Sequence, residues 1–283
     1  SVEDWTQAIQ NALEYVEEHL AGELEICEIS RRAFLSPFYF QRIFSTLCGL
    51  GVGEYIRYRR LTLAAQELCS TDAKVIDVAA KYGYNSPDGF SRAFQRFHGV
   101  PPSAAKKAGA SLKTFAPVRI KLTLEGGSML EYKIVEKSQF TVVGLEKTFH
   151  PDTSYEEIPK FWREVMEMEH PPVCGMYGIC IDVDEQGKDF LYWIADNYIP
   201  WQEIPTGCTA KVIPASTWAV FPCRGALPKA LQEVNTRIWS EWLPNCKTYR
   251  LAGNYNVEMY APPQPNPEDN YCEIWLPVEK ALE

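Results

Sequence analysis

Two short stretches carry the side chains with the clearest chemistry. Gln41 and Arg42 lie in one, and Arg92, Gln95 and Arg96 in the other. Guanidinium and carboxamide groups pair in bidentate fashion with the guanine and adenine edges exposed in a DNA major groove. The stretches are copies. At an offset of 50 residues, Ser36, Pro37, Phe40, Arg42, Phe44 and Gly49 recur as Ser86, Pro87, Phe90, Arg92, Phe94 and Gly99. A second constellation lies near the end of the chain, where Glu273 stands between Tyr271 and Trp275 in an alternating run. A carboxylate flanked by aromatic faces suits a cationic or polar aromatic ligand. A solvated sheet face or an internal ion pair is the other reading of that acid. Bond-breaking chemistry has less support. His19, His98, His150 and His170 are isolated, and the nine cysteines are odd in number, scattered and never spaced C-x-x-C. Reduced thiols are expected, with no catalytic residues, no metal and no cofactor.

The elements that position these groups are legible from periodicity. Each copy reads as a helix with Ser as N-cap, Pro in the first turn and Gly just past the end. Phe40, Ile43, Phe44 and Leu47 recur at helical spacing in one, and Phe90, Phe94 and Phe97 in the other, so one face of each is core. Helical patterns over 24–34 and 75–82 precede them, giving two helix-turn-helix units. A plain helical hairpin repeat with solvated arginines is the alternative; two copies in fixed register favour DNA. A first helix is expected over 4–20, with Trp5, Ile9, Ala12, Leu13, Val16 and Leu20 on one face. A long helix over 52–69 links the units as a rigid spacer. Recognition helices held about 34 Å apart would enter two successive major grooves, so a monomer suffices. For Arg57, Arg59 and Arg60 on that spacer, phosphate contact and intrachain ion pairing both stand open.

The 283 residues are 46% apolar without a run of the ~20 apolar residues that a membrane helix needs, so a globular chain of two domains and no membrane partner are expected. The acidic opening Ser1 to Trp5 is unlike a secretory signal and suggests a cytoplasmic location. The net charge of −9 is unevenly spread: residues 31–107 hold 12 basic against 5 acidic side chains, and residues 128–283 hold 13 against 23. A basic segment beside an acidic domain is the asymmetry of a nucleic-acid binder joined to something else. Residues 109–127 read as a linker with a short strand over 118–124. The second domain repeats itself at an offset of 78, aligning 133–143 with 211–221. Each copy leads into an amphipathic helix, over 155–168 and 228–243, and then into two strands, over 176–182 and 190–194, and 255–260 and 272–278. The expected fold is multidomain: an all-α tandem helix-turn-helix domain, then a duplicated β-α-β-β α+β domain with helices on one side of an antiparallel sheet.

Residues 8–107 resemble the DNA-binding domain of the AraC/XylS transcription regulators. The resemblance rests on the unit 26–44, on Tyr55 to Leu61, on Val75 to Ser86 followed by Phe90 to Phe94, and most specifically on Gly99, Pro101 and Pro102. It implies base reading by Phe38, Gln41 and Arg42 in the first recognition helix and by Asp88, Ser91, Arg92 and Arg96 in the second. Gln95 joins them from its place on the outer face. Asp88 accepts from cytosine but repels phosphate, so Arg42 and Gln41 rank above Arg92, and Arg92 above Asp88.

The second half resembles the gyrase-inhibitor-like effector-binding domains, through 129–136, 213–221, 239–244, 257–260 and 272–278. In those domains an acid on the last strand lies in the pocket between the halves, which singles out Glu273, with Glu258 second. Tyr177, Tyr192, Trp193, Trp218, Tyr260 and Trp275 are candidate walls, about half of them ordinary packing. Together the resemblances imply a transcription regulator, not an enzyme, in domains 1–108, 109–127 and 128–283. Its implied partners are double-stranded promoter DNA, a small-molecule effector and RNA polymerase. A hydrolase or sequestering domain attached to a DNA-binding module is the alternative.

Overall fold

A computed structural model describes residues 2–120, 127 and 129–282. Helix α1 (Val2–Glu18) packs on α2 (Ile26–Arg32), and a tight turn leads to α3 (Pro37–Cys48). The spacer α4 (Val52–Ser70) carries the second unit, α5 (Val75–Lys81) and α6 (Pro87–His98), with a last turn α7 (Pro102–Ala105). The predicted punctuation operates in both recognition helices. Ser36 Oγ accepts from the Tyr39 amide at 3.3 Å, and Ser86 Oγ accepts from the Gly89 amide at 3.1 Å. Gly49 and Gly99 terminate α3 and α6 in the left-handed conformation. The turns differ by one residue. Phe34 takes the left-handed position, φ 55°, that Gly83 takes in the second unit, and its ring is almost fully exposed.

Two small cores hold these helices. Phe40 and Phe44 pack with Leu13, Val16, Ile29 and Tyr55, while Phe90 and Phe94 pack with Leu61, Leu68, Val78 and Tyr82. The spacer is anchored by its arginines. Arg59 forks onto Glu17 with two 2.8 Å contacts and also donates to the Phe115 carbonyl. Arg60 caps the end of the first helical segment through the Leu20 and Gly22 carbonyls. Phe115, Val118 and Ile120 pack onto the first core, so this part of the connector is held against the helices. Residues 118–120 form no strand, and 121–124 of the expected strand lie outside the described residues. Among the described residues, no helix is long and apolar enough to cross a membrane.

The second half contains β1 (Lys133–Lys137), β2 (Phe140–Phe149), α8 (Ser154–Met166), β3 (Tyr177–Asp182) and β4 (Phe190–Asn197). The second copy contains β5 (Thr209–Ile213), β6 (Ser216–Arg224), α9 (Lys229–Arg237), a π turn over Ile238–Trp242, β7 (Tyr249–Leu251), β8 (Tyr255–Tyr260) and β9 (Tyr271–Lys280). The strand path is β1-β6-β9-β8-β3-β4-β2-β5, with β7 on β9. Lys133 faces Val220, Lys137 faces Ser216, Phe140 faces Ile213 and Gly144 faces Thr209. The register is unbroken across both ladders, so two long bent strands cross as one and the path closes on itself.

Alternation then divides the strands between two cores. Trp193, Trp218, Trp275, Tyr177 and Val257 point into the enclosed side. Cys180, Tyr192, Phe221, Cys272, Ile274 and Leu276 point outward, under Phe161 and Val165 of α8 and under Ile238, Trp239 and Trp242. The helix expected over 155–168 ends at Met166, and Met168 beyond it is exposed.

Candidate functional site

The two recognition helices have different surroundings. On α6, Asp88, Arg92, Gln95 and Arg96 are exposed and Ser91 is half-buried, while Phe90 and Phe94 are sealed beneath. On α3 the corresponding face is covered by the sheet domain. Phe38, Tyr39 and Ile43 belong to the core beneath α8 and α9, and the Tyr39 and Trp239 ring centroids lie 6.1 Å apart. Ser36 Oγ donates to Asn254 Oδ1 at 2.8 Å, Tyr39 Oη donates to the Tyr255 carbonyl at 3.3 Å, and Gln41 Nε2 donates to the Gly187 carbonyl at 2.6 Å. Gly187 has a φ of +68°, and a Cβ there would come within 2.5 Å of Pro37 and 2.8 Å of the Gln41 amide. Only glycine allows this approach. Next to α3, the Asp152 carboxylate stands over the start of α4 and accepts from the Gly53 amide at 3.1 Å, a cap contributed across the two halves.

Phe38, Gln41 and Arg42 therefore do not present a free groove face in this conformation, contrary to the expectation that put them forward with Arg42 and Gln41 ranked first. Sequence did hold a signal. Where α6 has Asp88, Gly89 and Ala93, α3 has Phe38, Tyr39 and Ile43, which makes α3 apolar on nearly every side. A helix apolar all round is a buried helix.

Between α3, α8, α9 and the outward side of β3, β4 and β8 lies a cavity of about 640 Å³. Trp162, Tyr192 and Tyr260 wall it, with the Trp162 indole donating to Tyr192 Oη at 2.8 Å. Three carboxylates, Asp182, Asp189 and Glu258, and one base, Arg42, are the charged groups among the described residues lining it. Burial pushes the Glu258 carboxyl up from the ordinary range, against the pull of the Tyr260 hydroxyl, the Arg42 charge and the Tyr192 hydroxyl. Tyr260 Oη donates to Glu258 Oε2 at 2.6 Å. Burial likewise raises Asp182, whose Oδ2 accepts from Asn254 Nδ2 at 3.1 Å while its Oδ1 is buried without a partner. Arg42 donates from one terminal nitrogen to Cys180 Sγ at 3.0 Å, with its guanidinium 5.4 Å from the Phe38 ring; its Nε is buried without a partner.

Glu273 is elsewhere. It does sit between Tyr271 and Trp275, accepting from the phenol at 2.6 Å and from the indole at 3.0 Å. That side of β9 faces the enclosed aromatic core, however, not the cavity. Trp193, Trp218, Trp275 and Tyr177 are packed in the same interior, Trp218 and Trp275 at 5.9 Å between centroids. Of the eight ligand-site residues expected from sequence, Glu258, Tyr192 and Tyr260 line the cavity; Glu273, Trp275, Trp193, Trp218 and Tyr177 do not. The closure of the strand path is the reason, because it turns one face of every strand into sealed core. Asp182, Asp189 and Trp162 were missed. The outward register of β3 puts Asp182 on the same side as Cys180, a placement readable only once that face is known.

An exposed basic helix on the first half, and an acidic, aromatic-walled cavity between that half and the sheet domain, suit a DNA-binding regulator with an effector-binding domain. The family model described as integron-associated effector binding protein matches residues 133–278, and a helix-turn-helix domain model matches residues 29–108. Regulatory protein SoxS of Salmonella typhimurium is 41% identical over 97 residues, which are 34% of this chain and 91% of SoxS. The right origin-binding protein of Escherichia coli is 24% identical across 98% of this chain and 100% of its own length. A solved structure, SAV2435 bound to tetraphenylphosphonium, overlays with a TM-score of 0.44 at 21% identity, covering 53% of this chain and 94% of that one. The chain belongs to the AraC/XylS-type transcription regulators that carry an integron-associated, gyrase-inhibitor-like effector-binding domain.

Proposed function

We propose that the regulator touches DNA first through α6, with Arg92, Gln95 and Arg96 as donors and with Ser91 and Asp88 beside them, and that Gln41 and Arg42 join once α3 is free. Promoter DNA and the transcription machinery are then its macromolecular partners, and residues 1–108 and 128–283 its two working parts. The cavity is the effector site, and Glu258 is the carboxylate that receives the effector's charge. The observation that carries this reading is the concentration of Glu258, Asp182 and Asp189 in one aromatic-walled space with a single compensating base. A cation with an aromatic body satisfies both the charge and the walls. Calorimetry with 2-naphthamidinium tests it, with the uncharged 2-naphthamide as control. The cation should bind more tightly than the amide, and Glu258→Gln should remove that preference; equal binding of both compounds to the native chain would refute the reading. The domain acts as a sensor rather than a hydrolase, so 2-naphthyl acetate should not turn over in the cavity. Turnover that Glu258→Gln abolishes would establish the opposite.

A further inference from the structure

Arg42 and Arg92 occupy matching positions of the repeated helix, yet one lies in the effector cavity and the other in solvent. Around Arg42 stand Glu258 from β8, Cys180 from β3, Tyr192 from β4 and Tyr39 from its own helix, while Asp182 and Asp189 line the same cavity. The cavity lining is incompletely paired, since Arg42 Nε and, elsewhere in it, Asp182 Oδ1 are each buried without a partner. Unpartnered buried donors and acceptors are costly, and a guanidinium beside an acid, Glu258, with which it does not fully pair is a replaceable occupant. The cavity is large enough for a ligand of drug-like size, and α3 itself forms one wall through Phe38, Gln41, Ser45 and Thr46.

We propose that Arg42 is an internal stand-in for the effector: a ligand cation takes its place opposite Glu258, and α3 is thereby released from the sheet domain to enter DNA. This rests on the reading of the cavity as the effector site. A ligand shifts a conformational balance only by binding one state better than the other. With Arg42 inside, the cavity holds one positive charge that repels a second. With Arg42 withdrawn, all three carboxylates face the ligand alone, so the cation favours the released state. Linkage makes the effect reciprocal, and DNA that captures α3 empties the cavity and tightens cation binding.

The test measures 2-naphthamidinium and 2-naphthamide binding to the full-length native chain, to Arg42→Met, which keeps the apolar stem, and to Glu258→Gln. Removing the competing charge should tighten the cation by about tenfold or more and leave the neutral amide within about twofold. Arg42→Lys, which keeps a charge but loses the planar donors, should fall between native and Arg42→Met. If Glu258→Gln weakens the cation while Arg42→Met binds it no better than the native chain, the cavity is the effector site and Arg42 is not its occupant, which overturns the proposal. If the cation binds neither the native chain nor Arg42→Met, or survives Glu258→Gln undiminished, the effector reading falls and takes the proposal with it.

Discussion

Glu258, half-buried, and Glu273, buried, are two acids on neighbouring strands with opposite duties. Glu258 meets the cavity beside the Tyr260 and Tyr192 phenols, with the Arg42 guanidinium nearby. Burial raises its carboxyl and that of Asp182, so both bind protons more readily than ordinary carboxyls do. A raised carboxyl is ionised only above its raised value, and a permanent cation needs it ionised. Affinity for 2-naphthamidinium should therefore fall as pH is lowered from about 7.5 towards about 5, beginning above the range of a free glutamate, and Glu258→Gln should flatten much of that slope. Glu273 is fully engaged by Tyr271 and Trp275. Glu273→Ala would orphan the Trp275 indole and should cost roughly 2 kcal/mol of unfolding free energy, read by denaturant titration, with cation affinity unchanged. The alternation of β9 was legible in sequence down to the acid and its two aromatic neighbours. Which face held the ligand was not, because that depends on long-range closure through β1, β2, β5 and β6 rather than on any local pattern.

The tandem recognition helices show how far local signals reach. Caps, terminal glycines and aromatic stripes placed α3 and α6 within a residue of their observed bounds, since each depends on contacts a few residues apart. The difference between them is tertiary: Asn254, Gly187 and Asp152 fix α3 and the start of α4, and all three come from the distant half. The helices should consequently contribute unequally to DNA binding when no ligand is present. Nonspecific duplex affinity measured against salt should lose close to one unit of slope on Arg92→Ala, if Arg92 neutralises one phosphate, and almost none on Arg42→Ala. With 2-naphthamidinium present, both substitutions should count. An Arg42→Ala loss equal to that of Arg92→Ala without ligand would mean that α3 reaches DNA while docked.

The whole chain is a pair of reading heads on a stiff spacer, one free and one held by the domain that receives the effector. The sequence places the charge asymmetry in the correct halves, since residues 31–107 are basic and residues 128–283 acidic. The join between the halves was hidden because its apolar side chains, Phe38, Tyr39 and Ile43, also fit an ordinary helix core, and its polar partners Asn254, Gly187 and Asp152 lie far away in the sequence. That join is the centre of the account, and the reactivity of two guanidinium groups reports on it directly. Brief phenylglyoxal treatment of the full-length chain, followed by peptide mapping, compares Arg42 with Arg92 in one experiment. The account predicts that Arg92 is modified with or without 2-naphthamidinium, and that Arg42 is protected until the cation is added. Arg42 reacting as fast as Arg92 in the ligand-free chain would contradict it.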